Sequence, residues 1–431
     1  MSSPKTVNTP QERQPAYEDL VHEDRVHGSL YTSQAVFNDE MERIFHRGWV
    51  YVGHESEIPN SGDFVARRIG LQSMIFTRDA EGAVQLLYDR CTHRGNRITQ
   101  TERGNVRNFM CIYHGWVFNG RGDFLSMPAQ QAMPPQTDKQ ALSMVRVARL
   151  ESYGGFFFAS MAEQGITLQA HLGRAMSMID MLNGLSPAGR VRLDAGWMKH
   201  RLQGNWKGLL ENQVDGYHPQ IVHGSLLRAN RDFATVRDRK DTSASRVRDL
   251  GNGHSELDFA ADFRHRDVLL GWTGQVEPER LPEYVAGMNR AYGEAEARRR
   301  LIDGPPHAVV FPNLLLAEMN IMVLEPLGTG ETLQSVTPVM MEEGAELNPR
   351  TLRRCEGALG PAGFLIADDA EISDMVQRGL STRQPEWVLL QRGLHNEQTD
   401  ANGLRVGDLK DETPQRAFWR HYKAVMEGAQ Q

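Results

Sequence analysis

Two short segments each place a cysteine close to a histidine: Cys91-Thr-His93 and, seventeen residues later, Cys111-Ile-Tyr-His114. Each segment follows an apolar run and leads into turn residues, which predicts a strand that ends in a turn. Two such turns can face each other and enclose a metal group. Thiolates and imidazoles suit zinc as well as iron–sulfur clusters, so the donor types alone leave the metal open.

The order of the donors along the chain separates these two metals. Structural zinc sites with two cysteines and two histidines usually take both cysteines from one turn and both histidines from another, whereas each turn here supplies one of each. If the cysteines bind one iron and the histidines the other, the group is a Rieske [2Fe–2S] cluster, with a potential of roughly −150 to +300 mV. The pattern therefore predicts an electron-transfer centre, with zinc as the alternative.

Cys355 is the third and last cysteine of the chain. An odd number of cysteines cannot form a disulfide framework in a protein of this size. Cys355 lies in the helix-like segment LRRCEGALG, with no other cysteine or histidine nearby. We expect it to be a buried structural thiol.

A second group of candidate ligands, Asp215, His218 and His223, lies between Gly204 and Gly224. On a helix Asp215 and His218 share a face, whereas His218 and His223 are out of register. Pro219 removes a helical hydrogen bond, so we expect the helix to kink or open there and let His223 turn toward the same metal. Two histidines and one carboxylate are typical of non-haem Fe(II) oxygenases.

The carboxylate is either Asp215 or a residue from elsewhere. Further along, GPAGFLIADDAEISD carries Asp368, Asp369, Glu371 and Asp374 at the start of a predicted helix. Acidic residues are also favoured at that position because the helix N-terminus has a positive partial charge. The spacing alone therefore leaves the third ligand open.

The composition is that of a folded protein: 431 residues, 40% hydrophobic and 24% charged, which favours two or three domains. The 48 basic and 55 acidic residues give a net charge of −7. They are interspersed, so no basic stripe exists for nucleic acid. The first twenty residues lack the apolar core of a signal peptide, and the apolar run 308–324 is interrupted by polar residues. We expect a cytoplasmic protein without a membrane span.

The elements that must position these residues fall into two classes. A helix is predicted over Ser33–Trp49 with Ser33 as its cap, followed by short strands of an all-β domain as far as Met161. Beyond Glu163 the pattern predicts an α+β domain, with one strand over 190–203, a mostly helical segment Asn205–Val222, two long strands over 308–342 and further helices. Elements between Arg228 and Arg300 give weak signals.

The two motifs together resemble the large (α) subunit of the Rieske non-haem iron aromatic-ring-hydroxylating oxygenases. The shared pattern is Cys-x-His and Cys-x-x-His, followed about a hundred residues later by Glu-Asn-x-x-Asp-x-Tyr-His-x₄-His. The resemblance implies an α+β fold in which an all-β Rieske domain is inserted in a helix-grip (START-like) catalytic domain. The expected boundaries are 1–48 for the N-terminal arm and helix of the catalytic domain, 49–162 for the Rieske domain and 163–431 for the rest of the catalytic domain.

The resemblance also implies roles for single residues. The mononuclear Fe(II) would take His218, His223 and Asp369, the second aspartate of its pair, rather than Asp368. Asp215 matches a catalytic aspartate that hydrogen-bonds a Rieske histidine of one subunit and an iron-binding histidine of its neighbour, which implies a ring-shaped homotrimer. A carboxylate suits this role because it accepts from two imidazoles at once. The remaining matches are Cys91, His93, Cys111 and His114 as [2Fe–2S] ligands and Asn212 as a residue lining the substrate pocket.

By the same resemblance, the chain is the terminal oxygenase component of a multicomponent system. Electrons from NAD(P)H would arrive through a separate reductase, with or without a ferredoxin, and O₂-derived oxygen would enter an aromatic substrate. The chain has no GxGxxG after a strand and no second cysteine set of its own. The spacing Glu211-Asn212-x-x-Asp215 resembles the benzoate, salicylate and terephthalate types, which favours a single-ring aromatic acid. The C-terminal helix resembles relatives with small β subunits, which favours α₃β₃.

Three alternatives stay open at this point. A monooxygenase of the same family, a hydroxylase or demethylase, would share every motif. A Rieske electron carrier or redox sensor would contain the cluster but no mononuclear iron. A zinc-stabilised binding protein would contain neither and would be colourless.

Overall fold

The computed structural model of the chain describes residues 15–225, 244–274 and 276–429. Its first elements are α1 (Tyr17–Leu20), β1 (Arg25–His27) and α2 (Gln34–Glu40). Helix α2 begins after Ser33, whose hydroxyl accepts from the Val36 N–H at 3.4 Å, so the predicted cap is confirmed. A π-helical turn over Met41–Phe45 ends the helix, which is therefore shorter than predicted.

The next part of the chain forms short antiparallel strands, as predicted for an all-β region. Strands β3 to β6 form a four-stranded sheet, β7 to β9 a three-stranded sheet, and β2 pairs with β11, which pairs with β10. The bounds are β2 Val50–His54, β3 Asp63–Ile69, β4 Gln72–Arg78, β5 Val84–Tyr88, β6 Arg103–Asn105, β7 Asn108–Met110, β8 Val117–Asn119, β9 Phe124–Ser126, β10 Arg149–Tyr153 and β11 Phe156–Ser160.

Two helices, α3 (Leu168–Leu172) and α4 (Met176–Asn183), follow the β region. Their apolar side chains pack with Trp49 and Phe158 in one hydrophobic core, so β2 and β11 rest on these helices. The Trp49 indole N–H also donates to the Ile166 carbonyl at 2.9 Å.

Within the described residues, nine antiparallel strands then form one large sheet in the order β13-β19-β18-β17-β16-β15-β14-β23-β22. Nearly every residue of β16 and β17 and the first half of β18 is buried, because helices cover both of their faces. The bounds are β12 Val191–Arg192, β13 Met198–Leu202, β14 Arg246–Gly251, β15 His254–Asp258, β16 His307–Val310, β17 Leu314–Ala317, β18 Asn320–Gly328, β19 Glu331–Pro338, β20 Met340–Met341, β21 Trp387–Leu389, β22 Gln398–Thr399 and β23 Arg405–Asp408.

The C-terminal helix lies against β14 and β15 of this sheet and buries Phe418, Trp419 and Tyr422, which recur at helical spacing. A sheet that wraps a terminal helix in this way is the helix-grip arrangement, so the predicted α+β class is confirmed. The helix bounds are α5 Trp206–Gln213, α6 Pro219–Val222, α7 Ala260–Arg266, α8 Pro282–Tyr292, α9 Glu294–Asp303, α10 Asn348–Leu359, α11 Ile366–Leu380 and α12 Thr413–Met426.

The structure divides several predicted elements. The two long strands predicted over 308–342 are five strands, β16 to β20. Segment 190–203 forms two strands, β12 and β13, because the chain turns at Gly196, where φ is +101°. Segment Asn205–Val222 contains α5 and α6, separated by residues 214–218. Cys355 is buried in α10 as expected, and burial raises the pKa of its thiol to about 12. No helix among the described residues is long and apolar enough to cross a membrane.

Three buried histidines make the fold sensitive to acid. Burial lowers the pKa of His54 and of His254 from 6.5 to about 4, and burial lowers the pKa of His171 well below its usual value. The unfolded chain binds a proton at each histidine near its ordinary pKa, so the folded state is fully favoured above about pH 6.5. Stability is then lost as the pH falls toward about 4, by up to ~1.4 kcal/mol per pH unit for each histidine.

Urea unfolding between about pH 7.5 and about pH 4.5 measures this effect. His54→Asn keeps an oxygen near the position from which Nδ1 accepts the Ser56 N–H at 3.3 Å, and we expect its midpoint to fall less steeply than that of the wild type. His395→Asn, at an exposed histidine, is the matched control with the wild-type slope. Equal slopes for wild type and His54→Asn would contradict the prediction.

Candidate metal centres

The two Cys-His segments form turns with the same backbone hydrogen bonds. In each turn the cysteine N–H donates to the carbonyl five residues on, and the cysteine carbonyl accepts from the glycine N–H four residues on. The pairs are Cys91 with Asn96 at 2.8 Å and Gly95 at 2.9 Å, and Cys111 with Trp116 at 2.8 Å and Gly115 at 2.9 Å. The first turn leaves β5 and the second joins β7 to β8, so the two turns are matching halves of one site.

Each turn depends on its glycine. Gly95 and Gly115 have φ of +74° and +70°, a conformation that other residues adopt at a cost. A Cβ at Gly115 would also lie 2.9 Å from Pro128. The glycine after each histidine is therefore required by the backbone.

The cysteine and histidine side chains of this site point in different directions, as a cluster with two metal ions requires. Cys91 and Cys111 are each 1% exposed, whereas His93 is exposed and His114 half-buried. The two imidazole rings lie 4.5 Å apart, and the Trp116 ring stacks on His93 at 4.8 Å. Two thiols thus face the interior and two imidazoles face the surface.

The spacing of the four donors does not fit a single ion. Within the parts of the chain that the structure describes, one set of three donor side chains lies within 4.8 Å of one another, and it contains none of these four. A tetrahedral zinc ion needs four donors at about 2.0 to 2.3 Å from one point. The donor set fits a [2Fe–2S] cluster, with the thiols on one iron and the imidazoles on the other.

Asp89 braces the first turn, and sequence reasoning did not select it. Its buried carboxylate accepts from the N–H groups of Ile98 and Thr99 at 2.9 and 3.0 Å and from Arg97 Nε at 3.0 Å. Charge-assisted bonds of this kind fix a loop firmly. Its signal in the sequence is a carboxylate placed directly after an apolar strand.

The second centre begins where α5 ends. The Gln213 carbonyl at the end of α5 is 2.6 Å from His307 Nε2, on strand β16. Sequence reasoning did not select His307, because about ninety residues separate it from α5. The contact satisfies a helix-terminal carbonyl and fixes the end of α5 on the sheet.

Asp215 turns the chain in the segment between α5 and α6. Its carboxylate accepts from the N–H groups of Tyr217 at 2.8 Å and His218 at 3.0 Å. Pro219 is the first residue of α6, a position that tolerates proline because no helical N–H is needed there. The expected opening of the helix is present, but it lies over 214–218, directly before Pro219, which begins a new helix.

Three donor atoms converge beside α6. Asp369 Oδ1 lies 3.7 Å from His218 Nε2 and 3.3 Å from His223 Nε2, and all three atoms lie within 4.8 Å of one another. Asp369 comes from the first turn of α11, which packs against α6. Two imidazoles and a carboxylate fit one Fe(II) ion and leave positions open for other ligands.

A further carboxylate lies behind each imidazole. His218 Nδ1 is 3.6 Å from Asp215 Oδ1, and His223 Nδ1 is 3.4 Å from Asp368 Oδ2. Burial lowers the pKa of His223, but Asp369 and Asp368 raise it more, so that it lies above its usual value. Three carboxylates around two imidazoles make this a strongly anionic site, which favours a cation.

A cavity of about 340 Å³ adjoins these donors. Asn212 lies on its wall, and the Asn212 side-chain N–H is 3.5 Å from Asp369 Oδ1. No lysine or arginine occurs in the described lining. Its apolar members are Leu209, Val222, Ile372, Val376, Leu380, Val388, Leu389 and Leu390.

Glu211 fastens α5 on its other side. Its carboxylate accepts from the Tyr31 hydroxyl at 2.8 Å and from the Trp419 indole N–H of α12 at 2.6 Å. Burial raises the pKa of Glu211 to about 7. In the sequence Glu211 served only to measure motif spacing, and its link to both ends of the fold was not foreseen.

Comparisons with known proteins agree with this geometry. Residues 48–149 match the Rieske [2Fe-2S] domain, and residues 185–428 match the ring hydroxylating alpha subunit (catalytic domain). The α subunit of N,N-dimethyl phenylurea N-demethylase from Sphingobium sp. (strain YBL2) is 30% identical, covering 91% of this chain and 89% of that protein. The 2-halobenzoate 1,2-dioxygenase large subunit from Burkholderia cepacia is 28% identical, with 94% and 90% covered.

Among solved structures, naphthalene 1,2-dioxygenase with indole in its active site matches with a TM-score of 0.82 and 25% identity over 95% of this chain and 94% of that one. The predicted family and the predicted pair of cofactors, a [2Fe–2S] cluster and a mononuclear iron, are thereby confirmed. The chain belongs to the Rieske ring-hydroxylating oxygenases, as a large subunit with a Rieske domain and an iron-binding catalytic domain.

Proposed function

We propose that this chain inserts O₂-derived oxygen into a single-ring aromatic substrate, using electrons that a separate reductase or ferredoxin takes from NAD(P)H. The observation that carries the proposal is the convergence of His218, His223 and Asp369 beside a largely apolar cavity. A plain electron carrier needs neither the three donors nor the cavity. Oxygenases of this family work with such electron donors and with aromatic substrates.

The proposed ligands follow from the donor sets. Cys91, His93, Cys111 and His114 hold the cluster, which stores one electron at a time. His218, His223 and Asp369 hold the mononuclear iron, which supplies O₂ activation when bound. Asp368 orients His223 from behind and is a positioning residue rather than a ligand. We further propose 49–162 as the Rieske domain, with 1–48 and 163–431 forming the catalytic domain.

The chain's own residues hold the substrate and exclude water. The apolar lining of α11 and β21 packs against an aromatic ring, while Asn212 offers an amide at the wall next to Asp369. A volume of about 340 Å³ is at the small end of the roughly 300 to 1,000 Å³ typical of ligand pockets, which suits one ring. An apolar lining also limits the water that can reach reactive oxygen chemistry at this site.

Asp215 is proposed to connect the two centres across a subunit boundary. Its carboxylate lies beside His218 Nδ1 and can accept from a second imidazole, that of a Rieske histidine in a neighbouring copy. His93 is exposed, so its ring is accessible to such a contact. This places Asp215 between a donor and an acceptor imidazole.

Two exposed apolar patches support a homotrimer. One is at the Rieske turns and consists of Met110, Ile112 and Tyr113. The other surrounds the iron site and contains Ile221, Phe364, Met375 and Leu389. Large exposed apolar patches mark interaction surfaces, and two different patches joined head to tail close into a ring. We propose a ring of three chains, with small β subunits completing an α₃β₃ assembly.

The iron content separates the proposal from its rivals. The oxygenase is expected to contain about three iron atoms and about two acid-labile sulfides per chain. A Rieske carrier contains about two iron atoms, and a zinc protein neither iron nor colour. Metal analysis of anaerobically purified protein, with a visible spectrum and after supply of ferrous ion, measures this. Two iron atoms per chain after such supply would contradict the proposal.

Turnover with a substrate panel tests the reaction. We expect turnover of a single-ring aromatic acid, as the motif spacing favours, and we test benzoates and salicylate in parallel with neutral single rings. With ¹⁸O₂, dioxygenation adds two labelled atoms to the product. Turnover of multi-ring hydrocarbons alone would contradict a single-ring substrate.

Monooxygenation is the second candidate, and the similarity to an N-demethylase α subunit favours it. N-methylated arylureas therefore belong in the panel, with formaldehyde release as the readout. A product with one labelled oxygen atom, or demethylation without ring oxidation, would assign this chain to the monooxygenases of the family.

A further inference from the structure

Asn96 touches both cysteines of the Rieske site. Its backbone carbonyl accepts from the Cys91 N–H at 2.8 Å, within its own turn. Its side-chain nitrogen lies 3.7 Å from Cys111 Sγ, in the opposite turn. Among the described side chains, Asn96 is the one that donates to a sulfur of this pair. The contact is therefore specific to this side chain and not part of the backbone pattern that the two turns share.

The orientation of the amide is fixed by a second hydrogen bond. Asn96 Nδ2 also lies 2.7 Å from the Arg97 carbonyl, which can only accept. The nitrogen, not the oxygen, must therefore occupy this position, and its other hydrogen is free to point at Cys111. Cys111 is buried and Asn96 half-buried, so water competes weakly for the sulfur.

We propose that Asn96 raises the reduction potential of the [2Fe–2S] cluster by donating its side-chain N–H to Cys111 Sγ. This rests on the proposed role of Cys111 as a cluster ligand. Reduction adds one electron, from the reductase or ferredoxin, and the added negative charge is shared with the sulfur ligands. An N–H aimed at a sulfur stabilises the reduced form more than the oxidised form, and hydrogen bonds to sulfur are a known determinant of cluster potential.

The consequence concerns how fully the cluster is reduced. The two cysteine ligands differ in their hydrogen bonds. Cys111 Sγ accepts from a side-chain N–H, whereas Cys91 Sγ has no side-chain N–H donor among the described residues. A raised potential favours uptake of the electron from the donor protein. It also reduces the driving force for passing the electron on, so Asn96 sets the balance between these two steps.

Redox titration of purified holoenzyme, followed by visible circular dichroism and EPR, tests the proposal. Asn96→Leu keeps the approximate size and removes the donor; Asn96→Asp keeps the shape, removes the donor and adds a negative charge. We expect the equilibrium constant for reduction of the cluster to fall on the order of tenfold in the Leu variant, which lowers the potential by about 59 mV for one electron. The potential of the Asp variant should fall further. A potential equal to the wild type in both variants would overturn the proposal.

Asn105→Leu is the matched control in the same domain. Its side chain donates to the Ser61 carbonyl at 3.0 Å and to Asp63 Oδ1 at 2.8 Å and touches no cysteine sulfur. We expect its cluster potential to equal that of the wild type. If Asn105→Leu shifts the potential as much as Asn96→Leu does, the effect is general and the assignment to Asn96 is wrong.

A measurement on the wild type covers the case in which neither Asn96 variant assembles a cluster. Protein labelled with ¹⁵N in the side-chain amide of asparagine is reduced and measured by pulsed EPR. A weakly coupled ¹⁵N supports the bond to Cys111, and its absence overturns it. Failure of the proposed function is distinct, because it would appear as about two iron atoms per chain and no turnover, while the EPR signal and the potential of the cluster could still be measured.

Discussion

Replacing Asp369 by Asn is expected to empty the mononuclear site and to leave the visible spectrum of the [2Fe–2S] cluster unchanged. Asp369 Oδ1 lies within 3.7 Å of His218 Nε2 and 3.3 Å of His223 Nε2, so it supplies the anionic donor of the set. An amide of the same shape carries no charge and binds Fe(II) far more weakly. Iron should fall from about three to about two atoms per chain, with turnover reduced at least about 100-fold.

The neighbouring aspartate provides the control. Asp368 approaches the far side of His223, at 3.4 Å from Nδ1. Asp368→Asn keeps all three proposed ligands, so we expect it to keep its iron and to lose about 10- to 100-fold in metal affinity or activity, as for other groups that orient a ligand. If Asp368→Asn loses the iron while Asp369→Asn retains it, the two aspartates have been assigned in the wrong order.

Replacing Asp215 by Asn is expected to leave both iron centres filled and to reduce turnover at least about 100-fold. Asparagine, like aspartate, accepts from backbone N–H groups two and three residues on in a turn, so the bonds to the Tyr217 and His218 N–H groups should persist. The charge that faces His218 Nδ1 is lost. In stopped flow, a chemically reduced cluster should reoxidise slowly when O₂ and substrate are added, while its reduction stays normal.

Asp215→Ala distinguishes the structural role of the Asp215 carboxylate from the role of its negative charge. The alanine variant loses both the turn hydrogen bonds and the charge, so failure of Asp215→Ala alone would point to the turn. Turnover at the wild-type rate in Asp215→Asn would refute the route through Asp215. Coexpressing Asp369→Asn chains with Cys91→Ser chains adds a direct test, because mixed assemblies regain activity only if electrons cross between subunits.

The sequence was sufficient for residues whose role depends on type and spacing. The Cys-His pairs predict their metal because one cysteine and one histidine occur in each turn, and the C-terminal helix α12 was expected from the family resemblance. The break after α5 was misplaced, because it depends on His307 from β16 and on the Asp215 carboxylate, which competes with the helix for backbone N–H groups. Local spacing contains no information about either contact.

The other roles that could not be predicted from the sequence depend on contacts between distant segments. The Asn96 bond to Cys111 exists only because two separate turns meet, and the sequence does not state which side of a turn faces its partner. Asp368 could be considered only as a rival to Asp369, since the reach from α11 to His223 requires the tertiary structure. Residues 228–243, part of the stretch whose elements the sequence did not predict, lie outside the described residues.

The fastening of Glu211 to Trp419 has a consequence for the timing of metal uptake. The two residues are 208 positions apart, so a ribosome must synthesise the chain past Trp419 before α5 can be anchored. Until then, the segment that precedes His218 lacks one of its supports. We therefore expect iron insertion at this centre to follow synthesis of the whole chain, so that a nascent chain stalled before Trp419 retains ferrous ion poorly.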